Sequence, residues 1–179
     1  ELAAQCDIIM LCLTTSTVVE KVVYGEDGLL AGIKEGAVVI DFGTSIPAST
    51  RKIGADLAAK GAGMVDAALG RTPTHAIDGL LNIMAAGDQE TFDKVKPILD
   101  MQGENIFYMG ALGAGHTTKL INNFMGMTTV CAMSQAFAVA ASAGVDGQLL
   151  FDIMSTGPSS SPFMNFCKKY AVDGVSDLG

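Results

Sequence analysis

Apolar residues come in short runs separated by polar turns as far as Leu112, and from Gly113 onward in one long run. Asp7 to Leu13 reads Asp-Ile-Ile-Met-Leu-Cys-Leu, a continuous apolar stretch that suits a strand buried on both faces of a parallel sheet. Before it, Glu1 to Gln5 resembles the last turn of a helix. Thr14 to Ser16 offer an N-cap for an amphipathic helix through Tyr24, and Gly25-Glu-Asp-Gly28 is a turn. A short helical segment through Lys34 leads to a second buried strand, Ala37 to Phe42, after which Pro47 opens a helix reaching about Lys60. Gly63 to Ala67 and Leu80 to Ala86 are further strands, Asp88 caps a helix to about Met101, and Asn105 to Met109 is a fifth strand. Strands alternating with helices predict an open α/β sheet, whose ligands lie outside the carboxyl ends of the strands. Leu13-Thr14, Thr44-Ser45 and Leu69 to Thr72 all follow strands, so all can face one crevice.

From Gly113 to about Ala143 no proline interrupts the chain, and Leu120, Phe124, Met127, Cys131 and Phe137 are spread around the helical wheel. A helix apolar nearly all round is usually buried in a bundle, and ~30 residues at ~1.5 Å rise span ~45 Å. This helix divides the chain into a sheet-bearing part, residues 1–111, and a helical part, residues 112–179. Within the second, Gly147 to Ser155 and a stretch ending near Val172 read as helices, with the Gly157 to Pro162 segment as a breaker. Lys119, Asn122 and Asn123 stand out on the greasy helix, because at ~3.6 residues per turn these positions share a face. On the residues alone they read either as a site or as a surface lysine with two asparagines serving nearby backbone groups.

Composition narrows the partners. With 179 residues, 49% of them apolar, the chain can bury one substantial core or two small ones. Lys+Arg 11 against Asp+Glu 19 gives 11 − 19 = −8, which argues against nucleic acid and against anionic membranes. No uninterrupted apolar run reaches the ~18 residues of a membrane span. Cys6, Cys12, Cys131 and Cys167 lack C-x-x-C spacing and there are only two histidines, so neither a disulfide framework nor a metal site is expected, and a reducing cytoplasm fits. His75 carries no indicated role; His116 reads as a polar residue in the first turn of its helix, and the ten methionines as core filler.

Four blocks remain: Leu13-Thr14, Val39-Ile-Asp-Phe-Gly-Thr44, Val65-Asp-Ala-Ala-Leu-Gly-Arg-Thr72 and Gly113-Ala-Gly-His-Thr-Thr-Lys-Leu-Ile-Asn-Asn123. In this order and spacing they resemble the β-hydroxyacid dehydrogenase family, which includes the 3-hydroxyisobutyrate dehydrogenases. The resemblance implies an incomplete Rossmann-type doubly wound α/β sheet followed by part of an all-α domain. It also implies reduction of a small anionic aldehyde to the hydroxy acid with NAD or NADP. Lys119 would be the proton donor, with Asn123 orienting it or holding substrate and Asn122 beside it. Leu13 and Thr14 would border the adenine-side ribose or the pyrophosphate, and Thr44 the nicotinamide ribose. Gly70, Arg71 and Thr72 would form the substrate turn, and Gly126 would leave room for the substrate's end.

Two departures from the family pattern matter. The substrate turn is Gly70-Arg71-Thr72 where most of the family has Ser-Gly-Gly, a version similar to the sulfolactaldehyde reductase branch. A guanidinium's fixed donors suit a carboxylate or sulfonate; an ordinary surface ion pair is the alternative for Arg71. The family's opening strand, Gly-x-Gly-x-x-Gly turn and helix have no counterpart here, so the sequence is expected to be an internal fragment or truncated product. Two readings follow: part of an NAD(P)-dependent reductase, or a non-catalytic module that folds and self-associates as a homo-oligomer through its helical face.

Overall fold

The computed structural model describes residues 1–176 and divides into two compact units, Glu1–Ile121 and Asn122–Gly179. The first holds a five-stranded sheet: β1 Ile8–Leu11, β2 Val38–Asp41, β3 Gly63–Gly70, β4 Leu81–Ala86 and β5 Gly103–Tyr108, lying side by side in that order. A short α1, Leu2–Gln5, precedes β1. Strands β1 to β3 are parallel, joined across α2 (Ser16–Tyr24) and α3 (Leu29–Gly32), then across α4 (Pro47–Ala58). The next connection holds only the five-residue α5, Pro73–Ile77. That is too short for a parallel crossover of a dozen or more residues, so β4 runs antiparallel to β3. This reversal is invisible in the alternation of strands and helices. It also explains why β3 continues to Gly70 instead of ending at Ala67, because Ala67 to Gly70 pair with β4. Helix α6, Gln89–Leu99, then returns the chain to β5, parallel to β4.

Successive strand side chains point to opposite faces, and both faces here are apolar. Ile9, Leu11, Val39 and Met64 pack with Val19 and Val23 of α2 and Ile53 and Leu57 of α4. Val38, Ile40, Val65 and Ile83 pack with Phe92, Val95 and Leu99 of α6. Helices on both faces are the doubly wound α/β arrangement that the strand pattern predicts.

Helix α7, Ala114–Ser142, begins in the first unit and continues into the second, where α8, Gly147–Ser155, and α9, Pro162–Ala171, follow. Met133 and Phe137 of α7 join Met164 and Cys167 of α9 in a small core. The expectation of a helix buried all round does not hold: Phe124 is 66% and Met127 59% exposed. Two partners of 9 and 10 residues cover only a stripe of a helix 29 residues long. By length and composition α7 also qualifies as long and apolar enough to cross a bilayer. A count of uninterrupted apolar runs does not find it, because uncharged polar residues such as Asn122, Asn123, Ser134 and Gln135 break the run although Lys119 is its one Lys, Arg, Asp or Glu.

The Asp88 carboxylate caps α6, its Oδ1 accepting the Thr91 N–H at 2.9 Å. The Thr91 hydroxyl and amide hold its carboxyl below the ordinary value. A lowered native pKa stabilises at neutral pH and gives that stability up as pH falls through it. Asp88→Ala is expected to cost about 1 kcal/mol near neutrality, or ~2–4 °C in Tm. Thermal melts across an acid series should show the two proteins converging at low pH; a gap that persists unchanged in acid contradicts the capping role.

Candidate active site

Asp66 lies in the middle of β3 with no exposed surface. Its Oδ1 accepts the Gly113 N–H and its Oδ2 the His116 N–H, each at 2.7 Å. Amides at a helix start have no partner inside the helix and sit at its positive end, so a carboxylate is their natural acceptor. Both neighbouring glycines are required for this. Gly113 has φ 88, and a Cβ on Gly115 would lie 2.4 Å from the Met84 carbonyl and 2.9 Å from Asp66 Oδ2. Burial pushes the Asp66 carboxyl above its usual value, against the pull of these two amides.

His116 does not behave as a polar residue at the helix entrance: it is 0% exposed. Its Nδ1 is 2.8 Å from Thr50 Oγ1 on α4 and 3.9 Å from Asp66 Oδ2, while Nε2 is 3.8 Å from Asp41 Oδ2. Nε2 is buried without a hydrogen-bond partner among the described residues. Asp41, the last residue of β2, shapes the loop that follows by accepting the Gly43 N–H at 2.9 Å and the Ser45 hydroxyl at 2.7 Å. Sequence reasoning overlooked this cluster, although a signal was present. Asp41 and Asp66 each interrupt an apolar strand, and buried carboxylates need partners; the sheet register then sets them opposite each other.

Lys119 follows one turn along α7, half-buried, with no hydrogen bond or ion pair among the described residues. Desolvation lowers its pKa. Asn122 and Asn123 lie on the same helix and are exposed. Gly126 is buried, but the space its missing side chain leaves is taken by Phe163 of α9, whose Cζ would be 2.9 Å from a Cβ there. The position accommodates a helix contact, which differs from the expected room for substrate.

The loops after β1 and β2 lie together. A Cβ on Gly43 would be 3.0 Å from the Leu13 carbonyl, and Ser16 Oγ accepts the Ile46 N–H at 2.7 Å. Thr14 and Thr44 are exposed on these loops and Leu13 is half-buried. Beyond β3, buried Gly70 precedes Arg71, which holds φ 74, the sole positive value among described non-glycine residues. Arg71 Nη1 donates to the Leu80 carbonyl at 2.6 Å and to Glu104 Oε2 at 2.5 Å. Thr72 Oγ1 is 2.7 Å from His75 Nδ1, giving His75 a structural partner.

Parallel strands with helices on both faces, exposed hydroxyls in the loops after β1 and β2, and a half-buried lysine on the helix pinned to the sheet define a Rossmann-type architecture. Residues 1–110 match the model of the NAD binding domain of 6-phosphogluconate dehydrogenase. Residues 113–175 match that of the NAD-binding domain of NADP-dependent 3-hydroxyisobutyrate dehydrogenase. The chain belongs to the β-hydroxyacid dehydrogenase family. It is 34% identical to an NAD-dependent L-serine dehydrogenase of Pseudomonas aeruginosa, over 83% of this chain and 50% of that protein. It is 33% identical to a 3-sulfolactaldehyde reductase of Escherichia coli, over 86% and 51%. Among solved structures, a Mycobacterium tuberculosis 3-hydroxyisobutyrate dehydrogenase with L-serine superposes with TM-score 0.79 at 26% identity, covering 95% of this chain and 55% of that one. The chain thus spans about half the length of the curated relatives it matches.

Gly115→Ala separates two opposing effects. Helix propensity favours alanine by about 1 kcal/mol, whereas forcing a methyl into filled space costs typically ~1–3 kcal/mol or more. At 2.4 Å from a backbone carbonyl the clash is expected to win. Urea denaturation should show a net loss of about 2 kcal/mol, and the Gly113 and His116 amides should exchange faster. A variant as stable as the parent would mean the helix is not pressed on the sheet there.

Proposed function

We propose that this chain supplies the lysine-bearing part of an NAD(P)-dependent oxidoreductase that reduces a small anionic aldehyde to the hydroxy acid. The observation that carries the reading is Lys119: half-buried, unpaired among the described residues, and one turn from a helix start fixed to the sheet. Thr14 and Thr44, exposed on adjoining loops outside the parallel strand ends, fit the hydroxyl-rich edge of a dinucleotide. When bound, the nicotinamide provides the hydride. The protein's part is charge and placement. As the carbonyl oxygen gains alkoxide character, the Lys119 ammonium stabilises it and transfers a proton to it. Desolvation aids this by lowering the lysine's pKa toward the working range. Asn123 and Asn122 are assigned to orientation and substrate contact, one turn further on.

Arg71, with Gly70 and Thr72, is assigned to the substrate's anion, carboxylate or sulfonate. The contacts to Leu80 and Glu104 both use Nη1, so of the five guanidinium donors those on Nη2 and Nε remain for an anion. The four cysteines are all free, which supports the cytoplasm as its compartment.

Titrating NADH and NADPH by nicotinamide fluorescence tests cofactor binding. Oxidation assays with glyoxylate, succinic semialdehyde, tartronate semialdehyde and sulfolactaldehyde test the chemistry. Lys119→Ala is expected to lower turnover by roughly 10²–10⁴-fold while leaving cofactor affinity nearly unchanged. Parent turnover should fall as pH rises through the lysine's lowered value, because the protonated form is the donor. Full turnover in the alanine variant ends this reading.

A second reading rests on the helical unit, where Phe124 (66%), Leu149 (66%) and Ile153 (74%) are exposed. Surface of this kind on α7 and α8 favours a module that self-associates as a homo-oligomer, with or without catalysis. Gel filtration with light scattering should give a mass above the 18.5 kDa chain; a clean monomer at high micromolar concentration rules this out.

A further inference from the structure

The buried ring of His116 has no part in the chemistry above, yet three elements converge on it: Thr50 of α4, Asp41 at the end of β2 and Asp66 of β3. The geometry decides where its proton lies. Thr50 has one hydroxyl hydrogen, offered either to Nδ1 at 2.8 Å or to the Ile46 carbonyl at 3.3 Å. Given to Nδ1, the closer acceptor, it leaves the ring proton on Nε2, facing the Asp41 carboxylate at 3.8 Å. Either tautomer turns one ring lone pair toward a carboxylate, Nε2 toward Asp41 at 3.8 Å or Nδ1 toward Asp66 at 3.9 Å, but only at Nδ1 does a hydroxyl, that of Thr50, stand close enough to occupy the lone pair. Each ring nitrogen therefore has one preferred role, and the ring is keyed in one orientation.

We propose that His116 is the positioning residue for Lys119: with its proton on Nε2 toward Asp41 and Nδ1 accepting from Thr50, it sets the rotation of the first turn of α7. This rotation fixes the direction in which Lys119, three residues on, leaves the helix. The inference rests on Lys119 as the proton donor, but its structural half is testable without turnover.

Thr50→Val removes the hydroxyl and keeps the shape; Thr50→Ser keeps the hydroxyl. The chain has two histidines, so long-range nitrogen–proton correlation spectra of the imidazoles resolve both, with His116→Gln assigning the signal. The parent and Thr50→Ser should show His116 protonated on Nε2, and Thr50→Val should lose that single form. Lys119, observed through its ε-carbon, should titrate below the ordinary lysine value in the parent and Thr50→Ser, and move back up in Thr50→Val as the ammonium swings toward water. In assays kcat should drop at least tenfold in Thr50→Val with the cofactor KM unchanged, and recover in Thr50→Ser. An Nδ1-protonated ring in the parent, or a Lys119 titration that ignores Thr50→Val, overturns the proposal. Unaltered turnover in Lys119→Ala would sink the proton-donor reading instead, leaving the two spectroscopic results to judge His116.

Discussion

One buried carboxylate holds the start of α7 to the sheet, and Lys119, in the same unit, takes its position from where that helix begins. Asp66 accepts two amide hydrogens, from Gly113 and His116, yet its carboxyl is still pushed upward by burial. Removing one amide from such a group leaves a less compensated buried charge, which is penalised further. Asp66 therefore specifies where α7 starts, because starting elsewhere strands the carboxylate.

Arg71 presents a similar balance in a turn. A left-handed conformation costs a side-chain-bearing residue roughly 1–2 kcal/mol, and glycine, which the resembling family places at this middle position, avoids that cost. The ion pair to Glu104 involves side chains 29% and 49% exposed, a setting in which such pairs contribute about 0–1 kcal/mol. The ion pair alone does not offset the strain; the hydrogen bond from the same Nη1 to the Leu80 carbonyl, a bond to a charged group worth roughly 1.5–3 kcal/mol, does. Both of these contacts use Nη1, so the donors on Nη2 and Nε are the ones the proposed function gives to an anion.

The doubly wound fold was legible because burial on both sheet faces requires continuous apolar strands, and Val38 to Asp41 and Gly63 to Ala67 show that pattern. Helix ends were legible where chemistry marks them: Asp88, Pro47 and the Gly147 to Ser155 segment lie where polar caps or breakers set them. The reversal of β4 was not, since it depends on a connection length that says nothing until the pairing is known. Nor was the exposure of Phe124 and Met127, because hydrophobicity states what a helix face prefers and not what is available to cover it. The candidate site divides similarly. Lys119 is conspicuous as a lone charge, whereas His116 looks ordinary in the chain and gains its meaning from Asp41, Thr50 and Asp66, brought to it from three other elements.

The distance between anchor and lysine gives that arrangement its mechanical sense. A helix is stiff along its length, and its rotation about its own axis is controlled by whatever grips its surface. A lysine nitrogen lies roughly 8 Å from the axis, so about 10° of rotation displaces it by roughly 1.4 Å. Misplacement of about 1 Å can cost a reaction on the order of 100-fold. Backbone bonds to Asp66 fix where α7 begins but leave some freedom of roll. A ring held at Nδ1 and directed at Nε2, buried less than one turn upstream, restricts that freedom close to where the lever arm starts. Gripping the helix this near the lysine lets the rest of α7 remain loosely covered without moving the group to which the proposed function assigns the proton.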